Sequence, residues 1–124
     1  MTNRNGKILD RAREAKKRIT EVLPSEAREQ IVEGALLLDV RDQEKFESGH
    51  IDEAMNISND QLEMRIGEVA PDKQTPIVCY CAGGNRGALA ADALQQMGYT
   101  RVVSIQGGLR AYNADVFPTG GEPK

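Results

Sequence analysis

Between residues 76 and 97 the chain changes its pattern once, inside a single loop. Pro76-Ile77-Val78-Cys79-Tyr80 is an unbroken apolar, β-rich run, Gly87 to Met97 has helical spacing, and Cys81-Ala82-Gly83-Gly84-Asn85-Arg86 joins the two. A short strand with no polar alternation is one buried on both faces, and that requires a mostly parallel sheet with helices above and below it. The pattern therefore predicts an α/β fold, and in such sheets ligands bind outside the carboxyl ends of the strands, where Cys81 falls.

The same grammar runs through the rest of the chain. Ala35 to Val40, Ala54 to Ile57 and Val102 to Ile105 read as further short strands, with helical patterns near Asp42 to Ser48, Asp60 to Val69 and Arg86 to Met97. Pro24 and Ser25 open a short helix that runs to about Val32, with Ser25 expected as its N-cap and Gly34 as its stop. Gly98 is placed to end the long helix, and Gly107-Gly108 turns the chain into a last short one.

At the amino end Ile8, Leu9, Ala12, Ala15 and Ile19 recur at helical spacing, which predicts an amphipathic docking helix. The first 18 residues carry seven basic side chains against two acidic ones in a chain of net charge -3. These charges read as the solvated face of that helix. No aromatic residue is interleaved with them, and no apolar stretch is long enough for a signal core or a membrane span. The expected organisation is a helical segment over 1–33, one domain over 34–118 and a flexible tail over 119–124, with neither nucleic acid nor membrane as partner.

A thiol at the carboxyl end of a strand, with a helix starting just beyond it, faces backbone N–H groups that lack helical partners and favour an anion. Two or three such bonds to a charged sulfur, at roughly 1.5 kcal/mol or more each, stabilise the thiolate by several kcal/mol. Gly83 and Gly84 suit a loop that turns its amides toward one point, and Arg86 adds a positive charge. Cys81 is thus expected to be a nucleophile without a histidine base; the one histidine, His50, is distant in sequence.

These residues resemble the rhodanese-like sulfurtransferases. Besides Cys81-x-x-Gly84-x-Arg86, the resemblance rests on Leu38-Asp39-Val40-Arg41, Glu44, Phe46, Gly49-His50-Ile51, Ala54 and Asn56-Ile57, and on Gly107-Gly108 near Ala111, spanning about residues 33 to 117. It implies a three-layer fold with a central sheet of about four to five strands. It also implies a Cys81 that takes a sulfane sulfur from thiosulfate or a persulfide donor, holds it as a persulfide, and passes it to a thiol, a protein or cyanide. Ala82, Gly83, Gly84, Asn85, Arg86 and Gly87 would form the substrate-binding loop around catalytic Cys81.

The chain departs from the family pattern at three places. Gly87 stands where many members have Ser, Glu53 where Gly is common, and Tyr112 where Trp is frequent. The first removes a hydroxyl donor near the persulfide, and the other two are expected to be packing and turn variations.

Two alternatives accompany this reading. One is a rhodanese-fold binding module with an idle thiol. The other is a phosphatase or arsenate-reductase-like cysteine enzyme, whose loop has one residue more between Cys and Arg so as to surround a tetrahedral oxyanion. Four residues, Ala82 to Asn85, intervene here, and the shorter ring suits a single sulfur atom.

Neither a cofactor nor a metal is expected. Cys79 and Cys81 stand two apart in one strand, where a disulfide would be strained, and one histidine does not make a ligand set. Free thiols point to a reducing, cytoplasmic setting. Asp39 and Arg41 are read first as a structural ion pair, His50 as part of a turn, and Cys79 as core packing, with a resolving thiol as its alternative role.

Overall fold

The computed structural model describes residues 4–116, so the tail expected over 119–124 lies outside the described residues. In chain order the elements are α1 (Arg4–Lys16), β1 (Thr20–Val22), α2 (Pro24–Val32), β2 (Leu36–Asp39) and α3 (Gln43–Glu47). Next come β3 (Met55–Asn56), a 3-10 turn (Asn59–Gln61), α4 (Leu62–Val69), β4 (Ile77–Tyr80), α5 (Asn85–Gln96), β5 (Val102–Ile105) and α6 (Gly108–Val116).

The strands form one five-stranded sheet in the order β1-β5-β4-β2-β3, every pairing parallel. Alternation along the central strand β4 assigns its side chains to two cores. Ile77 and Cys79, followed by Cys81, pack with Leu62 and Ile66 of α4 and Ala90, Ala91 and Leu94 of α5. Val78 and Tyr80 face the other way, toward Ala27 and Ile31 of α2 and Tyr112 of α6. The α/β architecture read from the apolar runs is the one observed, with five strands at the upper end of the expected range.

Strand β1 has no counterpart in the sequence reading. Thr20-Glu21-Val22 is short and half-polar, and it is extended because each residue pairs with β5, from Thr20 on Val103 to Val22 on Ile105. The N-cap of α2 also differs from expectation. Leu23 takes that position with Pro24 at the first helical residue, and its own N–H donates to Glu26 Oε1 across 2.8 Å. Proline at the first helical position lacks only an N–H that would be unpaired anyway, and this fixes the N-cap two residues ahead of Ser25.

α1 packs along α5 with Ala12 and Ala15 buried between them. The chain just beyond its carboxyl end is tied down by Arg18, whose Nε and Nη2 donate to Asp92 at 3.0 and 2.7 Å, and by Gln95 Nε2 donating to the Arg18 carbonyl at 2.9 Å. Among the described residues no helix is long and apolar enough to cross a membrane.

Candidate active site

Cys81 is the first residue beyond β4, 4% exposed, and its Sγ accepts a hydrogen bond from the Gly84 N–H at 3.0 Å. Gly84 makes that bond from the left-handed region (φ +103°), as the N-cap of α5, and a Cβ there would stand 3.1 Å from the Gly107 nitrogen. A side chain is excluded both by the backbone angle and by the space. One amide thus reaches the sulfur, where the sequence reading expected two or three. The helix starts at Asn85, earlier than expected, and the N–H groups of its first turn lack helical partners.

The loop is held from below by α6. The Leu109 N–H donates to the Cys81 carbonyl at 2.7 Å and the Arg110 N–H to the Ala82 carbonyl at 3.1 Å. In a trans peptide the next N–H points opposite to the carbonyl, so these two bonds turn the Ala82 and Gly83 amides away from α6. Gly108 lets α6 come this close, because a Cβ on it would lie 2.5 Å from the Cys81 oxygen and 2.8 Å from the Ala82 oxygen.

The remaining loop residues divide between support and exposure. Asn85 Oδ1 accepts from Lys16 Nζ at 3.1 Å, joining the loop to α1. The Arg86 carbonyl accepts from Asn59 Nδ2 at 3.1 Å, while its guanidinium is exposed and makes no ion pair among the described residues. Ala82 and Gly83 are exposed beside it. Gly87 is buried, and a Cβ there would meet Ser104 Oγ at 3.0 Å; that hydroxyl is itself buried without a hydrogen-bond partner.

Above Cys81 opens a cleft of about 760 Å³, in the range of roughly 300–1,000 Å³ that takes whole small molecules. Cys81, Ala82, Gly83, Asn85 and Arg86 line it together with Arg41, Asp42, Lys45 and, from α1, Ile8 and Leu9. Sequence reasoning did not place α1, Lys45 or the α6 amides here. The Gly107-Gly108 pair was the one local signal of the close approach by α6.

Asp39 and Arg41 form the structural pair expected of them. The Asp39 carboxylate is fully buried and accepts from Arg41 Nε at 3.0 and 3.1 Å and from Nη2 at 2.7 Å. Nη2 also donates to the Gly49 carbonyl at 2.7 Å, which ties the turn after α3 to the sheet. The Asp39 hydrogen bonds raise the Arg41 pKa above its ordinary value, so the guanidinium at the cleft wall stays charged.

His50 serves that same turn. Its Nδ1 lies 2.7 Å from the Phe46 carbonyl, which can only accept, so Nδ1 carries the proton, and the ring stacks on Phe46 at 3.7 Å. It is absent from the cleft lining. Glu53 pairs with Arg28 at 2.6 Å, and Arg28 also donates to the hydroxyl of buried Tyr112. Cys79 is fully buried, and burial, followed by the neighbouring Cys81, pushes its thiol up to about 12. A resolving thiol must ionise and reach the site, and Cys79 is placed for packing. Among the described residues no three His, Cys, Asp or Glu side chains are grouped to hold a metal ion.

A parallel three-layer sheet whose central strand delivers a cysteine into a glycine loop at a helix start defines a family. The model of the rhodanese-like domain matches residues 23–115, and the chain belongs to that family. Thiosulfate sulfurtransferase GlpE of Pseudomonas syringae is 36% identical over 89 residues, 72% of this chain and 82% of that protein. The uncharacterized protein YqhL of Bacillus subtilis is 37% identical over 82 residues, covering 66% of this chain and 64% of its own length. Among solved structures, a Rhodopseudomonas palustris protein of unknown function, described as a possible tyrosine phosphatase, superposes with a TM-score of 0.79. It is 27% identical, over 94% of this chain and 93% of that one.

Proposed function

We propose that the protein is a sulfurtransferase that carries sulfane sulfur as a persulfide on Cys81. The observation that carries this reading is the Gly84 N–H directed at Cys81 Sγ, in a loop whose carbonyls are bound on the far side by α6. A hydrogen bond to a charged acceptor is worth about 1.5–3 kcal/mol, and the loop's remaining amides are free to meet a second sulfur.

In the first half-reaction the Cys81 thiolate attacks the outer sulfur of thiosulfate. The S–S bond breaks, its electron pair leaves with sulfite, and the sulfane sulfur stays on Cys81 as a persulfide anion. In the second, a thiolate or cyanide attacks that outer sulfur and the electron pair of the broken bond returns to Cys81. No external oxidant or reductant enters, and splitting the transfer in two is what a covalent nucleophile offers. Arg86 and Lys45, both without ion pairs among the described residues, favour an anionic donor. Free Cys79 and Cys81 suit a reducing compartment such as the cytoplasm, and a small thiol or a protein thiol is the acceptor.

The loop argues against phosphate chemistry. Four residues separate Cys81 from Arg86, one fewer than in a loop that surrounds a tetrahedral oxyanion, and α6 lies close beneath that short ring. An idle binding module is also disfavoured, since a loop without chemistry gains nothing from an amide aimed at a thiol. Mass spectrometry after treatment with thiosulfate tests the proposal: one added sulfur at Cys81, lost in Cys81→Ser, is expected. Hydrolysis of a phosphate ester without sulfur transfer would overturn it.

A further inference from the structure

The wall that α1 builds beside Cys81 is apolar. Ile8 and Leu9 line the cleft, and Leu9 is 48% exposed although the next apolar positions of the same helix, Ala12 and Ala15, are buried against α5. One turn of the helix therefore keeps Leu9 exposed and Ile8 half-buried where they border the reactive thiol. This wall is fixed: Lys16 Nζ holds Asn85 Oδ1 within the Cys81 loop, and Arg18 holds Asp92 on the helix that the loop begins. α1 also precedes the residues that the family model matches.

Of the other lining residues, Arg41, Asp42, Lys45 and Arg86 are charged, and Cys81, Ala82, Gly83 and Asn85 are not. Among the described residues Lys45 and Arg86 carry no ion pair, the Arg41 charge is met by Asp39, and Asp42 is the one acid in the lining and carries no ion pair. A bare inorganic dianion uses the cations and leaves the apolar wall, and most of the 760 Å³, to water.

We propose that Ile8 and Leu9 determine donor specificity, selecting a low-molecular-weight organic sulfur donor that joins an apolar body to an anionic sulfane group. This rests on the sulfur-transfer reading of Cys81. The thiolate attacks the terminal sulfur of such a donor, the S–S bond to the organic part breaks, and that part departs with the electron pair as a thiolate or sulfinate. The apolar body lies against Ile8 and Leu9 while the anionic group meets Arg86 and Lys45.

Benzenethiosulfonate and methanethiosulfonate carry the same anionic sulfane group on a large and a small apolar body, and each leaves as its sulfinate. The ratio of their kcat/KM values is expected to favour the benzene compound in the unmodified protein. It should fall about tenfold in Ile8→Ser/Leu9→Ser, the discrimination that loss of a small apolar contact gives. Leu9→Ser alone, at a half-exposed position, should move the ratio in the same direction, with circular dichroism confirming the folded state. An unchanged ratio in both variants overturns the proposal and leaves the apolar pair to a protein partner. Absence of added sulfur at Cys81 from every donor overturns instead the sulfur-transfer reading on which it rests.

Discussion

Gly108 stands so close to the Cys81 carbonyl that a methyl group on its Cα would come within 2.5 Å of that oxygen. Its φ of +63° adds a backbone penalty to any side chain. Gly108→Ala must therefore push α6 off the loop or distort the Leu109 and Arg110 bonds that aim its amides. We expect a stability loss of about 1–3 kcal/mol. Persulfide formation should fall much further than the melting temperature implies, which stopped-flow transfer assays beside a thermal melt would check.

Arg86 is exposed and unpaired among the described residues, so charge reversal has no native contact to break. Arg86→Glu should change stability by no more than about 0.5 kcal/mol. The kcat/KM for thiosulfate should fall roughly tenfold or more, with a weaker dependence on salt than in the unmodified protein. Equal loss of folding and activity would show that the arginine is structural.

Cys79 and Cys81 share a face of β4 and differ in access. With burial raising its pKa to about 12, Cys79 should resist iodoacetamide at pH 8 while Cys81 is labelled. Cys79→Ala should retain sulfur transfer at a cost of about 1 kcal/mol of stability. Loss of transfer in that variant, with the fold intact, would restore the resolving-thiol role.

Ser104 and Gly87 compete for one space. Removing the unpartnered buried hydroxyl in Ser104→Ala should stabilise the protein by about 1 kcal/mol. Gly87→Ala should be destabilising alone, since its Cβ meets Ser104 Oγ at 3.0 Å, and neutral or favourable in the Ser104→Ala background. A double-mutant cycle by urea denaturation measures this coupling, and strict additivity would contradict it.

The anchor of α1 gives stability a pH dependence of definite sign. Hydrogen bonds from Arg18 hold the Asp92 carboxyl below the usual carboxylate range. A depressed pKa contributes fully above the unfolded value of about 3.9 and is lost as pH falls through the lower folded value. Asp92→Asn should therefore be less stable at pH 7 and show a flatter decline below about pH 4. Glu53, held down by Arg28, has the same sign and leaves a residual slope. Denaturant titrations from pH 3 to 7 would test this.

The strand, loop and helix around Cys81 were legible because their signals are local. An apolar run, two glycines and a helical repeat each act within a few residues, and parity along β4 places Cys79 and Cys81 together wherever the strand sits. β1 was not legible: Thr20-Glu21-Val22 has little strand character until β5 offers it a partner. The number of amides on the sulfur was misjudged for a related reason, since the start of α5 depends on Gly84 fitting against Gly107.

Taken alone, the sequence determined the layered parallel architecture, the position of the thiol at a strand's carboxyl end and the short spacing from Cys81 to Arg86, all consequences of nearest-neighbour patterning. Tertiary structure decided which amide meets the sulfur, how α6 braces the loop and that Ile8 and Leu9 border the cleft. Those are contacts between segments far apart in the chain, brought together by the sheet register and by the packing of helices on it, and no local pattern encodes them.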